Sequence, residues 1–168
     1  MKMDIKNKKT ILITVFFVLF VLGTIFIFIT PFSVKSSYNL SVNTSDGVTI
    51  SFNVFEPRVS PEPNKKAVII GHGFEANKEF MKGYALELAA AGFVAVTFDF
   101  RGHGQSTGSL DRGNLINDVE AVIGYLTTRT DIDMNNLAYI GYSMGGGPGN
   151  IIVNQSTDFK AFIGVGTG

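Results

Sequence analysis

Apolar and polar positions divide the chain into three differently patterned stretches. Ile11 to Thr30 is an uncharged, almost wholly apolar run of 20 residues. As a helix rising about 1.5 Å per residue it covers ~30 Å, the thickness of a bilayer's hydrocarbon core. A helix apolar all round has no face to offer water, so this run predicts one transmembrane helix, closed by Pro31. Tyr38 to Thr44 and Val48 to Glu56 then alternate apolar and polar residues around Asp46-Gly47. That pattern predicts a β-hairpin on a type I′ turn. Pro57 to Lys66, with three prolines, reads as a surface loop.

From Ala67 the period changes. Short apolar strands are predicted at Ala67–Ile70, Phe93–Phe98, Leu137–Tyr142 and Ala161–Val165. Between them a helix is expected over Asn77–Ala91, closed by Gly92 as a C-cap. A second is marked by Leu115, Val119, Val122 and Leu126 at helical spacing, and a third by Gly145–Gln155. Gly147-Pro148-Gly149 is poor helix material and predicts irregularity in that last helix. Apolar strands alternating with helices call for an α/β domain, its mostly parallel sheet covered by helices on both faces.

Charge adds an orientation. Lys2, Lys6, Lys8 and Lys9 precede the apolar run, opposed there only by Asp4. The positive-inside rule therefore predicts a cytoplasmic basic tail at residues 1–9, a signal-anchor helix at 10–31, and residues 32–168 on the outer side of the membrane. A cleaved signal peptide is the competing reading, but its apolar region is usually about 7–15 residues and ends in a small-x-small site not found here. From Pro31 onward ten Lys and Arg face 13 Asp and Glu, a net charge of −3. Such a balance gives no basic face for nucleic acid. Cysteine is absent, which removes disulfides, thiolate metal sites and a cysteine nucleophile. No metal site is read from the sequence, and His72 and His103 are its two histidines.

Candidate chemistry lies at three strand ends. Gly141-Tyr142-Ser143-Met144-Gly145 places a serine where a strand stops and a helix starts. The glycines two residues to either side permit a sharp turn without collision. The helix N-terminus brings its dipole and free N–H groups beside the serine, so Ser143 is the candidate nucleophile. In a chain with 19 glycines this pattern arises by chance, and its weight comes from two upstream motifs. The first is Gly71-His72-Gly73-Phe74. A glycine-loosened strand end can turn a backbone N–H toward an oxyanion, which makes the N–H groups of Phe74 and Met144 the candidate oxyanion hole. His72 is expected to pack at the strand end and fix this loop, without transferring protons. The second is Asp99-Phe100-Arg101-Gly102-His103-Gly104-Gln105-Ser106. Here Asp99 and Arg101 are expected to hold the loop by hydrogen bonds, while His103 is open to substrate contact.

The stretches GHGFEANK, FDFRGHGQS and GYSMGG, in this order, resemble the α/β-hydrolase superfamily, in its serine esterase, lipase-like and aminopeptidase-like branch. The resemblance runs from about Tyr38 to Gly168. It implies an α/β-hydrolase fold, a serine nucleophile, an oxyanion hole, no cofactor, and ester, thioester or amide substrates of small-molecule or lipid-like acyl type. It also implies a triad in the chain order serine, acid, histidine. No histidine follows Ser143, and Asp158 is the one acid beyond it, placed before a strand where the family's acid follows one. The expectation is therefore a partial hydrolase domain, truncated after the strand that follows the nucleophile helix, with the triad acid and histidine lacking. Its last strand would be a sheet edge prone to aggregation.

Two functions of different class follow. One is a membrane-anchored serine hydrolase working through an acyl-enzyme on Ser143, held to the membrane by residues 11–30. The other is an inactive membrane-bound binding protein or relic. Lyase or acyl-transfer chemistry on the same fold stays open. Asn39, Asn43 and Asn154 head formal glycosylation triplets.

Overall fold

The computed structural model describes residues 4–28, 31–60 and 62–167. It separates into two compact units, Met1–Thr30 and Pro31–Gly168. The first is one helix, α1 (Ile5–Phe28), so Ile29 and Thr30 of the expected span lie outside the described residues. Between Asn7 and Ile25 α1 is long and apolar enough to cross a membrane, a criterion that a signal sequence near the N-terminus also meets. Apolar side chains such as Leu12, Ile13, Phe16 and Phe17 are exposed on it.

The second unit runs β1 (Val34–Asn43), β2 (Thr49–Pro57), β3 (Lys65–Gly71), α2 (Lys82–Ala90), β4 (Val94–Phe98), α3 (Leu115–Thr127), β5 (Ile132–Tyr142), a 3-10 turn (Ser143–Gly145), α4 (Gly146–Gln155) and β6 (Phe159–Val165). The six strands form one sheet in the order β1-β2-β4-β3-β5-β6. β1 and β2, and β2 and β4, pair antiparallel. β3 pairs parallel with both β4 and β5, and β5 with β6.

Side-chain alternation along the strands builds two cores. Ile50, Phe52, Ala67, Ile69, Val94, Val96, Leu137 and Tyr139 face Leu115, Val119, Val122 and Leu126 of α3 and Ile152 of α4. The intervening Phe55, Val68, Ile70, Ala95 and Ile140 face Met81, Ala85 and Ala89 on the α2 side. Helices thus cover both faces, as a mostly parallel sheet requires.

The hairpin differs from expectation at its turn. A type I′ turn needs positive φ at both central residues, whereas Gly47 alone takes one here, 85°. Gly47 N–H donates to Thr44 O at 3.1 Å and Thr44 N–H to Val48 O at 2.8 Å. This is the three-residue alternative, a type I turn closed by glycine, and the Thr44 hydroxyl donating to Asp46 Oδ1 at 2.6 Å supports it. Helix α2 starts at Lys82, five residues later than expected, because Asn77 Oδ1 takes the N–H groups of Glu79 (3.0 Å) and Phe80 (3.3 Å) in a turn. Its end agrees: Gly92 N–H donates to Ala89 O and Phe93 N–H to Leu88 O, a Schellman closure. Pro148 falls in the first turn of α4, where it has no intrahelical bond to lose, and the helix runs unbroken to Gln155. Among the described strands β6 is an edge, with Ile163 exposed.

The chain leaves β3 toward β4 on one side and leaves β5 toward β6 on the other. Adjacent parallel strands with diverging connections form a crevice at their carboxyl ends, where α/β sheets bind ligands. Gly71 pairs with both Phe98 and Gly141, so the three motif loops emerge side by side at that end.

Candidate active site

Ser143 sits on a tight strand-to-helix turn at the end of β5. Its φ is 47°, a left-handed value for a residue with a side chain, and it is exposed. Such backbone strain costs about 1–3 kcal/mol and persists only where the surroundings enforce it. The enforcement is backbone against backbone. A Cβ on Gly145 would lie 2.7 Å from the carbonyl carbon of Gly71 and 2.8 Å from His72 O; one on Gly141 would lie 2.5 Å from Gly146 Cα. A Cβ on Gly73 would lie 3.2 Å from Ser143 Cβ, which puts the end of β3 directly against the turn.

The loop after β3 is tied down by His72, which is fully buried. Its Nδ1 lies 2.7 Å from Gly73 O and its Nε2 accepts from Phe100 N–H at 3.0 Å. An acceptor at Nε2 leaves the proton on Nδ1, so the ring is neutral with both nitrogens engaged. Burial holds its pKa below the ordinary histidine value, against the opposing pull of the Gly73 carbonyl. Both nitrogens are thus taken up by backbone groups.

Asp99, fully buried at the end of β4, gathers the next loop. Its Oδ1 accepts Lys78 N–H at 2.6 Å, and its Oδ2 accepts Lys78 Nζ at 2.7 Å and Gln105 N–H at 2.9 Å. Lys78 is itself 2% exposed. Nothing in one sequence marks a lysine 21 positions before its aspartate as buried, and its role was not legible there. Arg101 faces elsewhere: its guanidinium pairs with Asp46 of the hairpin turn (2.7 Å) and Asp118 of α3 (2.8 Å). It anchors the loop from behind. His103 is half-buried, its ring centroid 5.1 Å from that of His72 and 6.1 Å from that of Phe74.

The N–H groups of Phe74 and Met144 belong to the first residues past Gly73 and past Ser143, and no protein group accepts from either among the described residues. Ser143 opens onto a hollow of about 290 Å³ lined also by Gly146, Gly147, Asn150, Phe162 and Thr167. A second of about 250 Å³ lies beside Met144, between Arg112, Leu115, Ile116, Pro148 and Ile151. A larger apolar hollow of about 620 Å³ lies along α2, between Phe80, Tyr84, Leu88 and Ile140, without Ser143. Asp158 is at the wrong end of the sheet. It precedes Phe159, which pairs with Leu137, five residues before Tyr142; at ~3.3 Å per residue this is on the order of 17 Å from Ser143. Among the described residues no acid or imidazole hydrogen-bonds the Ser143 hydroxyl.

A profile of the serine aminopeptidase, S33, family matches residues 62–168, well over half of the chain. The chain belongs to this family of α/β-hydrolases. A protein of the traX-finO intergenic region of Escherichia coli is 33% identical over 111 residues, 61% of this chain and 36% of that one. The bifunctional esterase/perhydrolase DCH of Acinetobacter calcoaceticus is 31% identical over 109 residues, 63% of this chain and 36% of DCH. Among solved structures, the hypothetical protein PA2218 of Pseudomonas aeruginosa superposes with a TM-score of 0.75 at 22% identity, over 82% of this chain and 44% of its own. For the Pyrococcus furiosus esterase Pf2001 the values are 0.66 and 23%, over 77% and 51%. The chain thus spans little more than a third of these curated relatives and about half of the solved ones, and the latter establish the α/β-hydrolase fold.

The glycine contacts make opposite outcomes expected for two alanine substitutions. Gly145→Ala drives a methyl group into the β3 backbone and should cost about 1–3 kcal/mol. Gly147→Ala, with nothing within 4 Å of its Cβ, should be neutral or stabilise α4 by up to about 1 kcal/mol. Thermal unfolding of the two variants checks this. Because folded His72 resists protonation, the unfolded chain binds the extra proton. Stability should therefore be complete above pH ~6.5 and decline as pH falls through that value toward the lowered folded pKa. Unfolding midpoints from pH 8 to 5 should show that decline, and a His72→Asn variant a shallower one.

Proposed function

We propose that this chain carries the nucleophile and oxyanion hole of a membrane-anchored serine hydrolase. In this reading Ser143 attacks the carbonyl of an ester, thioester or amide. The developing oxyanion is held by the N–H groups of Phe74 and Met144, and water hydrolyses the resulting acyl-enzyme. The observation that supports it is the backbone of Ser143, whose φ of 47° marks a strained turn at the carboxyl end of the sheet, with the end of β3 packed directly against it. Family membership and the esterase relatives support hydrolytic chemistry. An unactivated serine is a weak nucleophile, so the reading requires a general base and an orienting acid to act on Ser143 in the full-length protein. α1 serves as a single-pass anchor, with the basic N-terminus cytoplasmic and the hydrolase unit on the outer side. The substrate is a small-molecule or lipid-like acyl compound.

The second reading is a non-catalytic binding protein of the same fold. A fluorophosphonate probe applied to membranes containing the full-length protein separates the two. The hydrolase reading expects labelling of the membrane fraction that Ser143→Ala abolishes. Folded protein that takes no label, or labels equally in the variant, contradicts it.

A further inference from the structure

Phe74 N–H, on which the proposed oxyanion hole depends, lies on a segment with little packing of its own. The Phe74 side chain is 53% exposed and Glu75 takes a φ of 58°. Apolar burial therefore does not set where this donor points.

Two polar attachments do. The first acts on the peptide itself. Phe74 N–H and Gly73 C=O belong to one planar trans peptide and point in opposite directions, so fixing the carbonyl fixes the N–H. That carbonyl lies 2.7 Å from His72 Nδ1 and accepts Ala76 N–H at 3.2 Å. The second attachment is five residues on, where Asp99 takes both the main-chain N–H and the ammonium of Lys78 at 2.6 and 2.7 Å. Asp99 stands at the end of β4, the neighbour of β3. The segment Gly73–Lys78 is thus stretched between the ends of two adjacent strands. The pair is buried, 3% and 0% exposed in its side chains. Removing a partner from such a pair leaves an uncompensated charge, so the contact is kept tightly. Lys78 Nζ also reaches Gln105 Oε1 at 3.2 Å, which ties in the loop after β4.

We propose that Lys78, through Asp99 and together with His72, is a positioning residue for the reaction, holding the Gly73–Phe74 peptide so that Phe74 N–H meets the oxyanion. This rests on the Ser143 and oxyanion-hole reading above. Lys78 touches neither substrate nor nucleophile; its effect passes through a donor that is needed in the transition state more than in the bound state. Its loss should therefore appear in kcat and hardly in KM.

The test is a double-mutant cycle on the full-length protein hydrolysing p-nitrophenyl acetate, with folding of each variant followed by thermal unfolding. Phe74→Pro removes the N–H and should lower kcat by about 10²–10³-fold. Lys78→Met should lower it by about 10²-fold, the scale of a small misplacement of a catalytic group, with KM little changed. In the Phe74→Pro background Lys78→Met should cost nothing further, since the donor it positions is gone. Where Lys78→Met does not fold, Lys78→Met/Asp99→Asn, neutral and of similar shape, takes its place in the cycle. Losses that multiply, a rise in KM that accounts for the effect, or a silent Phe74→Pro overturns the proposal. Hydrolysis that survives Ser143→Ala overturns the reading beneath it and the proposal with it. Hydrolysis abolished by Ser143→Ala, with multiplying losses in the cycle, overturns the positioning role alone.

Discussion

The ends of β3 and β5 meet the first turn after Ser143 at backbone contact distance, and the geometry of this end of the sheet follows from that contact. Glycine at 141 and 145 is what allows it, since a single added carbon would enter the backbone of Gly146 or of Gly71 and His72. Closing the gap bends the chain sharply at Ser143, gives it a positive φ and starts α4 directly behind it. The same closeness sets the loop carrying Phe74 beside the loop carrying Met144. A larger residue at either glycine would separate the strand end from the helix start and so part the groups proposed to act together.

Polar side chains hold what the glycines bring close. Buried charges are costly unless paired and hydrogen-bonded, and Lys78–Asp99 and Arg101–Asp118, ion pairs buried on both sides among the described residues, sit where loops would otherwise be loose. Lys78 and Asp99 join the loops after β3 and β4. Arg101 joins the loop after β4 to α3 and to the tip of the β1–β2 hairpin, donating to Asp118 Oδ1 at 2.8 Å and to Asp46 Oδ2 at 2.7 Å. Burial pushes the Asp118 carboxyl up against the pull of Arg101, while Arg101 and Thr44 hold that of Asp46 well below its usual range. The hairpin, remote in sequence from Ser143, is in this way part of the scaffold of the site.

Features set by near neighbours in sequence were legible before the structure. The apolar runs of β3, β4 and β5, the repeat of Leu115, Val119, Val122 and Leu126, the C-terminal closure at Gly92 and the strand-to-helix turn at Ser143 are all local. His72, between two glycines at a strand end, is buried there. Features requiring distant partners were not. The hairpin tip takes a three-residue turn in place of type I′, with Arg101, 55 positions on, braced against Asp46. β5 begins at Ile132 because Lys65 pairs with it across the sheet, before the polar Asp133–Asn136 stretch that hid this start. The order β2-β4-β3-β5 and the burial of Lys78 arise only when the crossovers close.

The proposed hydrolase site requires the N–H groups of Phe74 and Met144 to converge on one point beside the Ser143 hydroxyl. A crystal structure of the full-length protein carrying a phosphonate ester on that serine tests it most directly, because the phosphonyl oxygen occupies the position of the oxyanion. The expected result is phosphorus bonded to Ser143 Oγ and that oxygen about 2.7–3.1 Å from both nitrogens. An adduct on another residue, or an oxygen turned to solvent with either N–H unused, would contradict it.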